Sequence, residues 1–349
     1  MAAPTSLLII SRSEIETLLD VSLALDAVAR AHAAYSSGRA HCPPRLHMPA
    51  GVDAAAILVM PAAIPDAAAL GTKLISVYPQ NAARGLPLHR AAVLLFDLET
   101  GRPAALIDGE TLTAARTAAA SALATQYLAR PDAAVLALVG AGVQARAHLQ
   151  MLAAVARGEA SIPEGALWPG PTVHGLREVR VCSRTGASAA ALARDMAGVA
   201  GCPVHAVATA YEAVEGADIV VTATTAGEPV IRRAWLAPGT HINAIGAFRP
   251  AARELDSDTV AAATLVVDSR EAALREAGDV LIPMQEGRFD AGHIHAELGE
   301  LVLRRRSGRT ARDELTVYKS VGLAVQDMAL GAAVMARALR RGLGRMVDF

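Results

Sequence analysis

Residues 133–145, AAVLALVGAGVQA, set a glycine loop directly behind an unbroken apolar run. A run of this kind reads as a strand buried on both faces. The loop, Gly140 to Ala145, has the pattern G-x-G-x-x-A and opens a helical stretch. Gly140 permits a tight turn, Gly142 lets the backbone approach a pyrophosphate, and Ala145 allows the helix to pack closely on the strand. The free N–H groups and positive dipole end of that helix suit a phosphate. Strand, turn and helix in this order predict dinucleotide binding.

The sequence after Pro131 supports the same architecture. REVRVCSRT, a helix from about Ser188 to Val199, PVHAV, ADIVVTATTA, GTHINAIGA and ATLVVD alternate along the chain. Such alternation predicts an α/β fold with a doubly wound parallel sheet, a Rossmann domain over 131–315. Residues 158–177 read as an irregular insertion in its first crossover. The segment before Pro131 has a different texture. A short strand is expected over 5–10, then one or two amphipathic helices from Ser13 to Tyr35, with Ser13 and Glu16 at capping-box spacing. AAILVMP, LGTKLISVYP and AAVLLFDLETG are short apolar runs bounded by Pro, Gly, Asn and Asp, which fits an antiparallel sheet. DLETG reads as a hairpin turn. A helix is expected over 111–129, and a last one over 316–343 that returns to the first part. Residues 1–130 and 316–349 are therefore expected to form one discontinuous α+β domain. A chain of 349 residues accommodates two domains.

The strand after the glycine loop also bears on the choice of nucleotide. An NAD site usually places an acid at the end of the second strand, for the ribose 2′-hydroxyl. Here VRVCSRT, residues 179–185, ends in Ser183, Arg184 and Thr185. A cation and two hydroxyls suit a 2′-phosphate, which an acid would repel. NADP(H) is favoured over NAD(H).

Of 33 basic residues only two are lysines, Lys73 and Lys319, and both lie in apolar stretches. Arg and Lys are not interchangeable at a tight site, so these positions are candidates for needing a compact ammonium. Arg45, Lys73 and Arg116 are cations in or beside apolar segments of the first part. Buried cations require partners. These three either converge on an anionic ligand or pair with nearby acids, and their spacing alone leaves both open. His47 and His89 read as satisfied structural residues. No nucleophile elbow and no metal-ligand spacing occurs, and Cys42, Cys182 and Cys202 are not spaced for metal, so no metal is expected. The three cysteines fit a reducing cytosol. A net charge of −1 argues against a general nucleic-acid binder. The N-terminus lacks a basic region before its apolar run, and no apolar run reaches membrane-spanning length. A cytoplasmic enzyme that contacts neither nucleic acid nor membrane is expected.

Taken together, PPRLHM (43–48), GTKLISVYPQN (71–81), DGETLTAARTAAAS (108–121), VGAGVQA (139–145), VCSRT (181–185), INAIGAFRP with REL (242–255), AGDV and YKSVGLAVQDMA (318–329) resemble the ornithine cyclodeaminase/μ-crystallin family along nearly the whole chain. The resemblance implies a homodimer whose discontinuous domain binds substrate and dimerises. It implies that Arg45, Lys73 and Arg116 hold a substrate carboxylate near the nicotinamide. It also implies that Val143, Gln144, Arg184, Thr224, Ile245 and Ser320 line the cofactor, with Lys319 close by. Cyclodeaminases of the family carry an Asp where this chain has Phe248, and a Thr is often found where it has Leu88. A phenyl ring can neither accept a proton nor balance an ammonium, so the G-A-x-R-P pattern is more similar to the ketimine-reducing branch. The expected reaction is NADPH-dependent reduction of Δ1-pyrroline-2-carboxylate to L-proline, with Δ1-piperideine-2-carboxylate to L-pipecolate second. Lys73 is the expected catalytic residue, helping to protonate the imine. Ornithine cyclodeaminase, alanine dehydrogenase and a non-catalytic NADPH-dependent binding protein are the alternatives.

Overall fold

The structure is a computed structural model that describes residues 6–52, 55–170 and 172–348. It divides into two units, Met1–Arg116 with Leu323–Phe349, and Thr117–Gly322. The first division therefore falls within the helix Gly109–Leu128 rather than at Pro131.

The first unit is built on β1 (Ser6–Ile10), β2 (Leu46–Pro49), β3 (Ala56–Ile64), β4 (Ala69–Val77), β5 (His89–Phe96), β6 (Pro103–Asp108) and a C-terminal strand, Arg345–Asp348. These form one seven-stranded sheet in the order C-terminal strand, β1, β6, β5, β4, β3, β2. The meander from β2 to β6 is antiparallel, as the bounded apolar runs predict. β1 joins it parallel to β6, so the sheet is mixed. The expected strand over 5–10 starts at Ser6, and position 5 lies outside the described residues. The DLETG turn forms as expected: Asp97 Oδ1 accepts from the Thr100 N–H at 2.8 Å, and Gly101 adopts φ 70°.

β3 alternates strictly between buried and half-buried residues, which gives the sheet one core face. On that face Lys73 of β4 stands between Met60 of β3 and Val93 of β5. The helices Val21–Ser36 and Ala324–Arg341 pack together, and the second lies against β3, β4 and β5. Gly71 faces the same way as Lys73, two residues before it. A Cβ there would come within 2.2 Å of the Leu94 carbonyl oxygen and 3.1 Å of the Leu95 Cα, so the backbone of β5 requires glycine at this position.

Two local expectations are corrected. The N-terminal helix is capped by Ser11 with Glu14, not by Ser13 with Glu16: the Ser11 N–H donates to Glu14 Oε2 at 2.8 Å. Both pairs have the same spacing, and the helix starts earlier because its buried face is set by Ile15 and Leu18. The segment 316–343 is not one helix. Thr316–Lys319 is a strand of the other unit, and the helix begins only at Ala324. A short apolar run does not distinguish strand from helix by periodicity, and pairing on both sides settles it here.

The second unit holds β7 (Val135–Val139), β8 (Glu178–Cys182), β9 (Val204–Ala206), β10 (Ile219–Thr222), β11 (His241–Ala244), β12 (Thr264–Val267), β13 (Ile294–Glu297) and β14 (Thr316–Lys319). The eight strands lie in the order β13, β12, β14, β11, β10, β7, β8, β9, and every pairing is parallel. This is the doubly wound sheet that the alternation predicts. The strand order reverses direction beside β7, the usual place for a ligand crevice at the carboxyl ends of the strands. Residues 158–177 carry no helix or strand among the described positions. No helix of the described residues is long and apolar enough to cross a membrane.

Candidate functional site

In the first unit Lys73 and Arg116 converge on a buried acid of the chain itself, Asp327, which is the second of the two alternatives left open by the sequence. Lys73 is fully buried, and its Nζ donates to Asp327 Oδ2 at 2.6 Å. Arg116, 5% exposed, donates from Nε to Asp327 Oδ1 at 3.1 Å and from Nη1 to Gln326 Oε1 at 2.8 Å. Asp327 and Gln326 sit in the first turn of Ala324–Arg341, where the helix dipole favours a carboxylate. The Gln326 amide nitrogen in turn contacts buried His32 Nε2 at 2.8 Å. Because Gln326 Oε1 accepts from Arg116, its amide nitrogen is the donor, so His32 Nε2 accepts. Arg45, half-buried just before β2, is close enough to lower the proton affinity of Lys73.

The electrostatics follow from burial. Lys73 is pulled down to about 7, first by loss of water and then by the Arg116 charge, with Asp327 opposing and Arg45 assisting. His32 is pushed down to about 3 by burial and by Arg116, so it is neutral. Burial alone would raise the Asp327 carboxyl, but Arg116 and Lys73 hold it below the usual carboxylate range. Cys42, near the same helix start, has its thiol raised by burial, against the Val325 and Ala324 N–H groups.

In the second unit the glycine loop separates its tasks by residue. Gly140 has φ 117°, and a Cβ there would lie 2.3 Å from the Ala223 carbonyl oxygen. Gly140 is therefore fixed by its own fold. Gly142 is the N-cap of the helix Val143–Ala156, no side chain caps that helix among the described residues, and a Cβ at Gly142 would meet open space. This open position beside uncapped N–H groups fits the pyrophosphate of a dinucleotide. Ala145 is buried against the fold, while Val143 is 72% exposed. The Gln144 side-chain oxygen is buried and makes no hydrogen bond among the described residues. After β8, Ser183 is half-buried, and Arg184 and Thr185 are exposed. The Thr185 and Ser188 hydroxyls are 2.7 Å apart.

The loops at the carboxyl ends of β10, β11 and β14 are tied from below by buried acids. Glu254 accepts from the Thr222 hydroxyl at 2.9 Å, from the Thr224 N–H and hydroxyl at 2.8 Å each, and from the Gly246 N–H at 2.6 Å. Asp268 Oδ2 accepts from the Ser320 hydroxyl at 3.1 Å and from the Val321 and Gly322 N–H groups at 2.8 and 2.6 Å. The hydroxyls of Thr224 and Ser320 are thus engaged in shaping loops. Ile245 is 8% exposed, and Phe248 is 38% exposed. Lys319 is buried, with Nζ 2.8 Å from Asp279 Oδ2 and donating to the Ala247 carbonyl at 2.5 Å. The two lysines of the chain are both buried and both paired with a buried acid, one in each unit.

Arg45, Lys73 and Arg116 therefore belong to the first unit. Gly140, Gly142, Val143, Gln144, Ser183, Arg184, Thr185, Thr224, Ile245 and Ser320 belong to the second. Sequence reasoning missed Asp327, Gln326 and His32 around the cations, and Glu254 and Asp268 beneath the loops. A signal was present: two cations in apolar segments require an anion, and Asp327 lies in the first turn of a helix whose first two turns are buried throughout. Among the described residues no group of three or more His, Cys, Asp and Glu could hold a metal ion.

A family model described as the ornithine cyclodeaminase/mu-crystallin family matches residues 6–162 and 171–342. The chain is 37% identical over 344 residues to a Δ1-pyrroline-2-carboxylate reductase of Bacillus cereus, covering 98% of this chain and 100% of that one. It is 40% identical over 276 residues to the ketimine reductase mu-crystallin of Rattus norvegicus, covering 79% and 78%. The Δ1-pyrroline-2-carboxylate reductase of Thermococcus litoralis, solved in complex with NADH and L-proline, superposes with a TM-score of 0.89 at 40% identity, covering 97% and 99%.

Proposed function

The chain belongs to the ornithine cyclodeaminase/mu-crystallin family, and on that premise we propose that it is a nicotinamide-dependent reductase of cyclic ketimine carboxylates. Δ1-Pyrroline-2-carboxylate going to L-proline is the first reaction, and Δ1-piperideine-2-carboxylate going to L-pipecolate the second. The observation that carries the reading is the buried Lys73–Asp327–Arg116 cluster in a chain that matches a pyrroline-2-carboxylate reductase over its full length.

In this reading Arg116, Lys73 and Arg45 recognise the substrate carboxylate, Arg116 through its planar fork. A nicotinamide cofactor, when bound, would supply a hydride to the C=N carbon. The C=N π pair becomes an N–H bond with a proton whose source is the Lys73 ammonium, and solvent returns that proton afterwards. A lysine near 7 can both hold and release a proton at neutral pH. In the second unit, Gly140, Gly142, Val143 and Gln144 would hold the pyrophosphate side, and Thr224, Ile245 and Ser320 would hold the nicotinamide side. Ser183, Arg184 and Thr185 favour a 2′-phosphate, hence NADPH over NADH. Phe248, in place of an acid, disfavours a free substrate ammonium and with it ornithine cyclisation. We place the enzyme in the cytoplasm as a homodimer. Leu46, Leu74 and Leu106 are exposed on the first unit's sheet, an apolar surface that a second copy would cover.

The test is consumption of NADPH and NADH with each of the two cyclic imines, alongside ornithine and pyruvate plus ammonia. Turnover of the imines with NADPH supports the reading. Turnover confined to ornithine, or to pyruvate with ammonia, assigns the cyclodeaminase or the alanine dehydrogenase instead. Tight imine binding without turnover assigns a binding protein. Sedimentation as a monomer removes the dimer.

A further inference from the structure

We propose that Asp327 is a positioning residue for the reduction: its carboxylate bridges Lys73 and Arg116, keeping the lysine charged and the arginine fork aimed. The proposal rests on the reading of those two cations as the substrate-carboxylate and proton-donating groups. No other described group around Lys73 can do this work. Its strand neighbours Met60 and Val93 are apolar. The helix Gly109–Leu128 brings Arg116, and the segment before β2 brings Arg45, both positive. The helix Val21–Ser36 brings His32, neutral and held at Gln326. Cys42 keeps its proton. Asp327, on Ala324–Arg341, is the one anion among the described residues that touches both Lys73 and Arg116.

The geometry divides the carboxylate between two functions. Oδ2 meets Lys73 at 2.6 Å, and Oδ1 meets Arg116 Nε at 3.1 Å. Gln326 Oε1 accepts from Arg116 Nη1 at 2.8 Å, and His32 fixes which way the Gln326 amide faces. Two adjacent residues of one helix turn thus hold the guanidinium at two of its three nitrogens. Without Asp327, Lys73 would stand in an apolar sheet face beside two arginines, and loss of its proton would be favoured.

The composition of the chain makes this measurable, because Lys73 and Lys319 are its only lysines. In the full chain labelled with ¹³C-lysine there are two side-chain signals, and Lys73→Met assigns them. Asp327→Asn is expected to lower the Lys73 midpoint by about 1–3 pH units. The pH profile of kcat is expected to move the same way. Asp327→Glu keeps the charge, so the midpoint should remain near that of the native chain while KM for the imine rises. If Asp327→Asn does not fold, Asp327→Glu carries the test, and a midpoint that collapses in it overturns the proposal. An unchanged Lys73 midpoint in folded Asp327→Asn also overturns it. The titration needs no turnover, so a native chain that reduces no imine defeats the functional reading and leaves the lysine result standing.

Discussion

Lys73 Nζ and Asp327 Oδ2 lie 2.6 Å apart, with both side chains fully buried, although 254 positions separate them in the chain. One comes from the middle of a sheet and the other from the start of the helix that covers it. A pair of this kind is weak evidence for stability, because desolvation offsets much of the attraction. Removing one member, however, leaves the other charge uncompensated. Stability alone therefore does not account for the pair, which points to a task for the lysine.

Lys73→Met should therefore cost more in turnover than in cofactor binding. Loss of a proton donor typically lowers kcat by about 10²–10⁴-fold. NADPH affinity, read by fluorescence titration, should stay within about twofold of the native value, since the phosphate loop belongs to the other unit. A variant with native turnover would end the proton-donor assignment.

Arg116→Lys tests the fork rather than the charge. A lysine cannot contact Asp327 and Gln326 while also gripping a carboxylate on two atoms. KM for the imine should rise by about 10–100-fold, which corresponds to roughly 1.4–2.8 kcal/mol. Arg116→Ala should in addition destabilise the fold by about 3–5 kcal/mol, since Asp327 loses a buried partner. Denaturant unfolding reads that figure, and a loss under about 1 kcal/mol would contradict it.

The two loop glycines should respond differently to the same substitution. Gly140→Ala places a Cβ 2.3 Å from a backbone oxygen at positive φ, so stability falls and the loop shifts. Gly142→Ala meets open space in the protein alone. Its melting temperature should be near native, while NADPH affinity drops by about tenfold or more through obstruction of the pyrophosphate. Equal effects of the two variants on melting would refute this division.

Arg184→Ala should raise KM for NADPH by about tenfold or more and leave KM for NADH nearly unchanged, because only the 2′-phosphate requires the cation. Parallel changes with both nucleotides would show that Arg184 does not choose between them.

Stability should depend on pH through Lys73 in a defined direction. The folded chain holds this lysine near 7, against an ordinary value of 10.5. Between those values the unfolded chain binds more protons, so the Lys73 contribution grows more favourable as pH rises through that window. The unfolding free energy of the native chain minus that of Lys73→Met should therefore increase from about pH 7 to about pH 10. His32 and His241, both pushed down to about 3 by burial, act in the acid range. The stability they permit is complete above about 6.5 and is lost as pH falls toward about 3. A native-minus-variant difference that stays flat across the alkaline window would contradict the Lys73 part.

Much of this molecule is legible along the chain itself. The run VLALV followed by G-x-G-x-x-A specifies strand, turn and helix, because glycine at φ 117° and a small residue at Ala145 are local requirements. The alternation after Pro131 specifies a parallel sheet, and the Ser183–Thr185 triplet shows that no acid follows β8. Local pattern was insufficient where pairing partners decide. TVYK is apolar enough for strand or helix, and only its place between β11 and β12 makes it β14. The sequence by itself determined which residues could bind phosphate and which cations sit in apolar surroundings. Tertiary structure alone decided what those cations meet. The folding of the Ala324–Arg341 helix onto β4 delivers Asp327 to Lys73 and Arg116, and a contact spanning 254 positions leaves no periodicity to read.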